Sequence, residues 1–252
     1  MKIIKLALIV TLFFALAGAS FGDYLNIHRQ AKRYGLELKD FNWDVTYSYV
    51  YEKVYATEAI TRTNELDLAG SYSFNKNFNL SLDLPINYII NPDSSLSSGI
   101  GDLSLFAAWN FWKNDIYNFA FLPTVTFPTG NYQAGIGNGR STYCVNLTLT
   151  RDKDPLALHW SLLYKRNDNL TNNRVDIWKF YFSPVAKLSP EAKLMFNLGV
   201  ESNTSLTSNQ SPIFASGGLI RQINKALAFT PTLKLGFNKP ETDVTVYLDF
   251  SW

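Results

Sequence analysis

The chain carries a single cysteine, Cys144, in 252 residues, so no disulfide can form within it. Its two histidines, His28 and His159, stand far apart, and with one cysteine they offer no zinc-binding constellation. Charge is scarce as well: Asp, Glu, Lys and Arg make up 17% of the residues, against about a quarter in an ordinary soluble domain. The balance is nearly even, 23 basic against 21 acidic residues, which lacks the basic surplus of a nucleic-acid-binding protein. Long apolar runs are missing from all but the first residues. A bundle of membrane helices, each needing ~20 consecutive apolar residues, is excluded, in keeping with a mean hydropathy of −0.07.

The one apolar run follows Met1-Lys2-Ile3-Ile4-Lys5, extends from Leu6 to Leu16, and ends on the small residues Ala17-Gly18-Ala19-Ser20. Two lysines, a short apolar core and small residues are the layout of a secretory signal peptide, so residues 1–22 are expected to be removed after Ala19 or Gly22. Cleavage takes Lys2 and Lys5 away and leaves 23 − 2 = 21 basic residues against 21 acidic ones. An exported chain without disulfides needs another source of stability, and a closed, fully hydrogen-bonded sheet provides one.

What the sequence does have is a period of two and many rings, with Phe, Trp and Tyr at 15%. In the clearest run, Phe78, Leu80, Leu82, Leu84, Ile86, Tyr88 and Ile90 alternate with Asn79, Ser81, Asp83, Pro85 and Asn87. One face of such a strand is apolar and the other wet, over a length that suits the ~9–11 residues of a tilted membrane strand. Similar runs begin at Trp43, Leu66, Leu103, Tyr117, Tyr143, Leu156, Trp178, Leu194, Ile213, Leu227 and Val244. Between them the connections alternate. Polar turns at 75–77, 113–115, 151–154, 189–191 and 224–225 face longer loops at 53–62, 91–99, 128–139, 166–173 and 201–212, with a shorter one at 238–242. This asymmetry predicts an all-β fold, a transmembrane antiparallel up-and-down β-barrel of about twelve strands over 41–252, with short periplasmic turns and longer extracellular loops. A soluble barrel has the same periodicity with its apolar face inward. About eight strands are the limit for a lumen packed by side chains, so the apolar rows of a twelve-stranded barrel face lipid.

Residues 23–40 break the pattern. Ile27, Ala31, Tyr34 and Leu38 share one helical face, with His28, Arg29, Lys32 and Arg33 on the others, and the segment is expected to lie in the periplasm or to plug the lumen. At the other end, Phe250 and Trp252 close an alternating run and resemble the C-terminal signal read by the outer-membrane barrel assembly machinery. The expected partners are that machinery, outer-membrane lipids and small-molecule solutes, without nucleic acid, cofactor or metal; carboxylate-bearing loops leave calcium open.

One succession is distinctive. Gly99-Ile100-Gly101-Asp102 starts a strand, Pro128-Thr129-Gly130 follows a strand end, and Gly135-Ile136-Gly137-Asn138-Gly139 comes next. Read physically, the glycines permit a bend or bulge where a loop re-enters the sheet, and Asp102 is placed to accept hydrogen bonds from loop amides. The succession resembles the outer-membrane barrel family labelled "putative MetA-pathway of phenol degradation". That resemblance implies an outer-membrane barrel, porin-like, that passes hydrophobic or aromatic compounds.

The wet face lists the expected lumen lining: Asp83, Asn87, Asp102, Asn146, His159, Ser161, Lys165, Lys179, Lys193, Asn197, Lys234, Tyr247 and Asp249. Both signs of charge occur, so no simple ion preference follows. The favoured function is passage of small solutes. A second expectation is a lipid hydrolase, because His159 and Ser161 lie two apart on one face and, with Asn173, resemble the active-site spacing of outer-membrane phospholipases. The following Leu162-Leu163 departs from that pattern, and a lumen-facing pair would not meet a lipid chain. A third is a structural or adhesive surface barrel, which requires a blocked lumen.

Overall fold

The computed structural model describes residues 41–55, 57–206, 208–239 and 241–252. The expected signal peptide and the segment 23–40 lie outside the described residues.

The strands are β1 Phe41–Val54, β2 Ala59–Asn75, β3 Phe78–Ile90, β4 Leu96–Ile100, β5 Leu103–Lys113, β6 Tyr117–Phe127, β7 Thr142–Arg151, β8 Leu156–Arg166, β9 Asp176–Ser189, β10 Ala192–Glu201, β11 Ile213–Gln222, β12 Ala228–Gly236 and β13 Val244–Ser251. Each pairs antiparallel with its neighbour, β1 pairs with β13 and β2 with β3, so the sheet closes on itself. Strands β4 and β5 pair in succession with β3 and share one place in the wall. The result is a closed barrel of twelve wall positions with one extra strand.

Alternation decides which way each residue faces. Along β10 the outward Phe196, Leu198 and Val200 are exposed while Met195, Asn197 and Gly199 are buried. Elsewhere the outer surface presents Trp43, Leu82, Leu147, Leu162 and Phe237, and the inner wall Ser48, Thr63, Ser81, Asn146, Ser183 and Thr245. Leaving a leucine or phenylalanine side chain in water forgoes about 1.5–3 kcal/mol. A whole surface of them is stable only against hydrocarbon. A bulge at Asn110/Trp112 turns both Phe111 and Trp112 outward, where they join Trp109 and Phe119 in a cluster of rings.

Turns on one rim are tight: Asn114 accepts hydrogen bonds from the amides of Ile116 and Tyr117, and Asn224 from those of Ala226 and Leu227. On the other rim lie 128–141, 167–175, 202–212 and 237–243. Two expected loops are shorter than the sequence suggested. Pairing of β1 with β2 continues to Val54↔Ala59, and part of the loop expected at 91–99 is the strand β4. The C-terminal residue closes the seam: Trp252 N donates to Val45 O at 2.9 Å and Val45 N to Trp252 O at 3.2 Å. Phe250 stacks on Phe229 with ring centroids 4.7 Å apart.

Candidate functional site

Closure of the strands into a ring creates a concave lumen, and charged side chains line its wall. Strands β13, β1, β2 and β3 are consecutive around the ring, and each carries a carboxylate on its inward parity: Asp249 on β13, Glu52 on β1, Glu65 and Asp67 on β2, and Asp83 on β3. Ser48 pairs with both Asp249 and Glu65, and Ala69, two residues after Asp67, pairs with Asp83, so Asp249, Glu65, Asp67 and Asp83 lie within a few rungs. Across the barrel, β8 to β10 carry His159, Lys165, Lys179 and Lys193. The basic side also holds Glu201 on β10, and Lys234 stands on β12 beside β13, so both signs occur on neighbouring strands. Sequence reasoning found both signs of charge but not which of them become neighbours, which emerges only once the ring closes.

Two lumen cations are held by carboxylates. Lys179 Nζ lies 3.0 Å from Glu201, which also accepts from the Tyr181 hydroxyl at 2.7 Å. Lys234 Nζ lies 2.8 Å from Glu241 and 4.1 Å above the Phe214 ring. Glu241 belongs to the loop 237–243, so this buried pair draws that loop over the barrel mouth. Asn87, Asn146, Asn197 and Tyr247 are buried on the inner wall, while Lys193, beside the turn at 190–191, is exposed.

Asp102 departs from the expectation of a lining residue. It sits between β4 and β5, and its carboxylate is taken up by the loop 128–141. Oδ1 accepts from Gly130 N at 2.9 Å, and Oδ2 from Asn138 N at 2.8 Å and Asn138 Nδ2 at 3.3 Å. Thr129 Oγ1 donates to Gly101 O at 2.7 Å and accepts from Leu103 N at 2.8 Å. The loop can come this close because it lacks side chains at the contact. A Cβ at Gly137 would lie 2.5 Å from Asp102 Oδ1, and one at Gly130 would lie 2.6 Å from Ile136 O. Ile136 is buried, its Cδ1 3.5 Å from where a Cβ would stand at Gly99, so the loop leans onto the inner face of β4. The glycine and aspartate succession seen in the sequence is the latch of this loop.

The other loops continue the cover. Leu170 N donates to Asn138 O at 2.9 Å, joining 128–141 to 167–175. Arg174 Nε donates to Asn203 O at 2.8 Å and its guanidinium reaches Asn209 Oδ1 at 2.9 Å, joining 167–175 to 202–212. Asn238 Nδ2 donates to Ser211 O at 2.6 Å, and Tyr55 N to Asp243 Oδ2 at 2.7 Å. Four loops and the β1–β2 turn thus form a continuous hydrogen-bonded arc around the mouth. These residues went unnoticed in the sequence; the only signal was the density of Asn, Asp and Gly in the connections.

The hydrolase triad is not assembled. His159 Nδ1 lies 2.9 Å from Thr150 Oγ1, and Ser161 Oγ donates to Asn146 Oδ1 at 2.6 Å. Asn173 lies in the loop 167–175, its amide donating to Thr171 Oγ1 at 2.9 Å. Among the described residues no hydrogen bond joins His159 to Ser161. Purified barrel is accordingly expected to release no fatty acid from phospholipid micelles, with Ser161→Ala indistinguishable from the parent. Hydrolysis lost in that variant would revive the lipase reading.

Comparison with known proteins fits this geometry. No curated protein matches the chain. Among solved structures, the KdgM porin in complex with disordered oligogalacturonate superposes with a TM-score of 0.56 at 11% identity, over 83% of this chain and 98% of that one. The NanC porin gives a TM-score of 0.56 at 8% identity, with the same shares covered. The fold is that of the porins, and with its lipid-facing rows the protein is a bacterial outer-membrane barrel. A family model described as "Putative MetA-pathway of phenol degradation" matches residues 33–252, and the chain belongs to that family.

Proposed function

We propose that the barrel passes small hydrophobic or aromatic solutes across the outer membrane. The observation that carries this reading is an apolar track inside the lumen. Phe106 and Ala108 on β5, Ala120 and Leu122 on β6, Leu163 on β8 and Ile177 on β9 are buried on the inner wall, beginning beside the acid-bearing β3, where Phe106 pairs with Ser81. A simple ion gains nothing from such a stripe, whereas the body of an aromatic solute exchanges water for it at about 25 cal/mol per Å² of apolar surface.

Reconstituted protein should take up a phenol-sized aromatic solute faster than a polar solute of equal size in liposome assays. Replacing Leu122 and Leu163 by Asn should remove about 1.4 kcal/mol of that preference, a tenfold change in selectivity. Equal uptake of both solutes by the parent would refute the reading. A closed structural barrel is the second reading, favoured by the fully buried Leu122 and Tyr247 on the inner wall; it predicts no solute uptake even from a barrel lacking residues 24–40.

A further inference from the structure

On β2 the lipid-facing row turns polar before the strand ends. From the tight-turn rim its outward positions run Phe74, Tyr72, Gly70, Leu68 and Leu66, and then come Asn64 and Arg62. A membrane crossing of ~9–11 residues counted from Phe74 ends at Asn64. Arg62 therefore stands just beyond the hydrocarbon, at headgroup depth on the side of the long loops. Pairing sets rings around the two: Asn64 lies between Tyr49 and Tyr88, and Arg62 beside Tyr51.

Both polar groups are donors that lack an acceptor among the described residues. Asn64 is 5% exposed; its Oδ1 accepts from the Tyr47 hydroxyl, but its Nδ2 is buried and has no hydrogen-bond partner. A donor left without an acceptor beside hydrocarbon is costly, and it marks a place where a ligand can supply one. Arg62 is exposed and makes no ion pair among the described residues. Other cations on the outer face of this rim are already matched: Lys53 Nζ lies 2.8 Å from Glu58, and Arg166 Nη1 3.1 Å from Asp176. In the turn after β3, Asp93 accepts from the Ser95 amide at 2.9 Å, while Glu52 and Glu65 have the inward parity of their strands.

A phosphorylated acyl lipid offers acceptors in the matching order: phosphate outermost, acyl carbonyl beneath it, hydrocarbon below. Arg62 and Asn64 stand two residues apart, ~7 Å along the strand, with Leu66, Leu68 and Ile86 continuing toward the bilayer centre. The planar fork of arginine fits phosphate oxygens, and tyrosine rings suit the boundary between headgroup and chain. We propose that Arg62 and Asn64 form a binding site for a phosphorylated, acylated glycolipid of the outer leaflet, Arg62 on its phosphate and Asn64 Nδ2 on an acyl carbonyl. The site lies on the outer surface and is independent of what the lumen passes.

The probes are diphosphoryl lipid A and the same lipid stripped of its phosphates, each titrated into the mature barrel in detergent and read by native mass spectrometry. Parent protein should bind the phosphorylated form about tenfold more tightly, the factor that 1.4 kcal/mol gives. Arg62→Gln should abolish that preference and Arg62→Lys retain part of it, while Arg166→Gln, at an arginine already paired, keeps the parental ratio. Asn64→Leu should weaken both forms alike, because the acyl carbonyl is common to them. Heat-modified gel migration checks that each variant is folded before titration. Equal affinity of the parent for the two lipids, or a preference that survives in Arg62→Gln, overturns the site. Displacement of the lipid by an equal concentration of inorganic phosphate overturns it as well, because the acyl part would then contribute nothing.

Discussion

Asp102→Ala is expected to release the loop 128–141 while the barrel stays folded. The Asp102 carboxylate accepts from the Gly130 amide and from both the amide and the side chain of Asn138. Hydrogen bonds to a charged group contribute about 1.5–3 kcal/mol each. Losing the set leaves two loop amides without an acceptor in a partly buried place, and relaxation and water recover part of the cost. A net loss of about 3 kcal/mol is the expected scale, which raises the open population of the loop roughly a hundredfold. Limited proteolysis of proteoliposomes should then cut within 128–141 about a hundred times faster, with the strands untouched and thermal unfolding little changed. Gly137→Val should give the same phenotype from the other side of the contact, because its Cβ cannot share the space held by Asp102 Oδ1, 2.5 Å away. Parental protease resistance in both variants would show that the loop is held by something other than this carboxylate.

The latch also marks where sequence reading stops. Which face of each strand meets lipid was legible from the alternation of Phe78 to Ile90 and its counterparts, because hydrocarbon and lumen make opposite demands on successive residues. That Asp102 would accept from loop amides was legible too, from glycines flanking a carboxylate at a strand start. That the donors are Gly130 and Asn138 was not, since pairing between residues 28 and 36 positions apart depends on how the loop folds back. Thr61, Arg62, Ser97 and Ser98 read as loop because they do not alternate, yet they lie in paired strands. Near the rim both faces are wet, the demand for alternation lapses, and only backbone pairing is left to define the strand. His159 and Ser161 do share a face, but their partners Thr150 and Asn146 come from across the strand, where spacing along the chain says nothing.

Closure explains why the lumen charges were equally hard to place. Their places relative to one another depend on which strands lie across the ring, and that order exists only when β1 meets β13. The acids of β13, β1, β2 and β3 come together on one side, while Lys179 and Glu201 meet on another. The loop arc above and the apolar track beside the acids then narrow the choice of what fits.

Arginine substitutions along β8 should separate lipid from water as the outer solvent. Leu156 starts the strand beside the turn at 152–155, and Leu162 lies farther in; both point outward and are exposed. Arginine near the bilayer midplane of such a barrel costs about 2–4 kcal/mol, and at the interface about 0–1. Urea unfolding in phosphatidylcholine liposomes should therefore show Leu162→Arg destabilised by about 3 kcal/mol and Leu156→Arg by less than about 1 kcal/mol. The difference is diagnostic because exposure to water predicts no such gradient: two solvent-facing leucines of a soluble barrel would both accept arginine within ±0.5 kcal/mol. Equal, small effects at the two positions would mean that the outer rows of rings and leucines do not stand in hydrocarbon, and the inside-out assignment of every strand would have to be reversed.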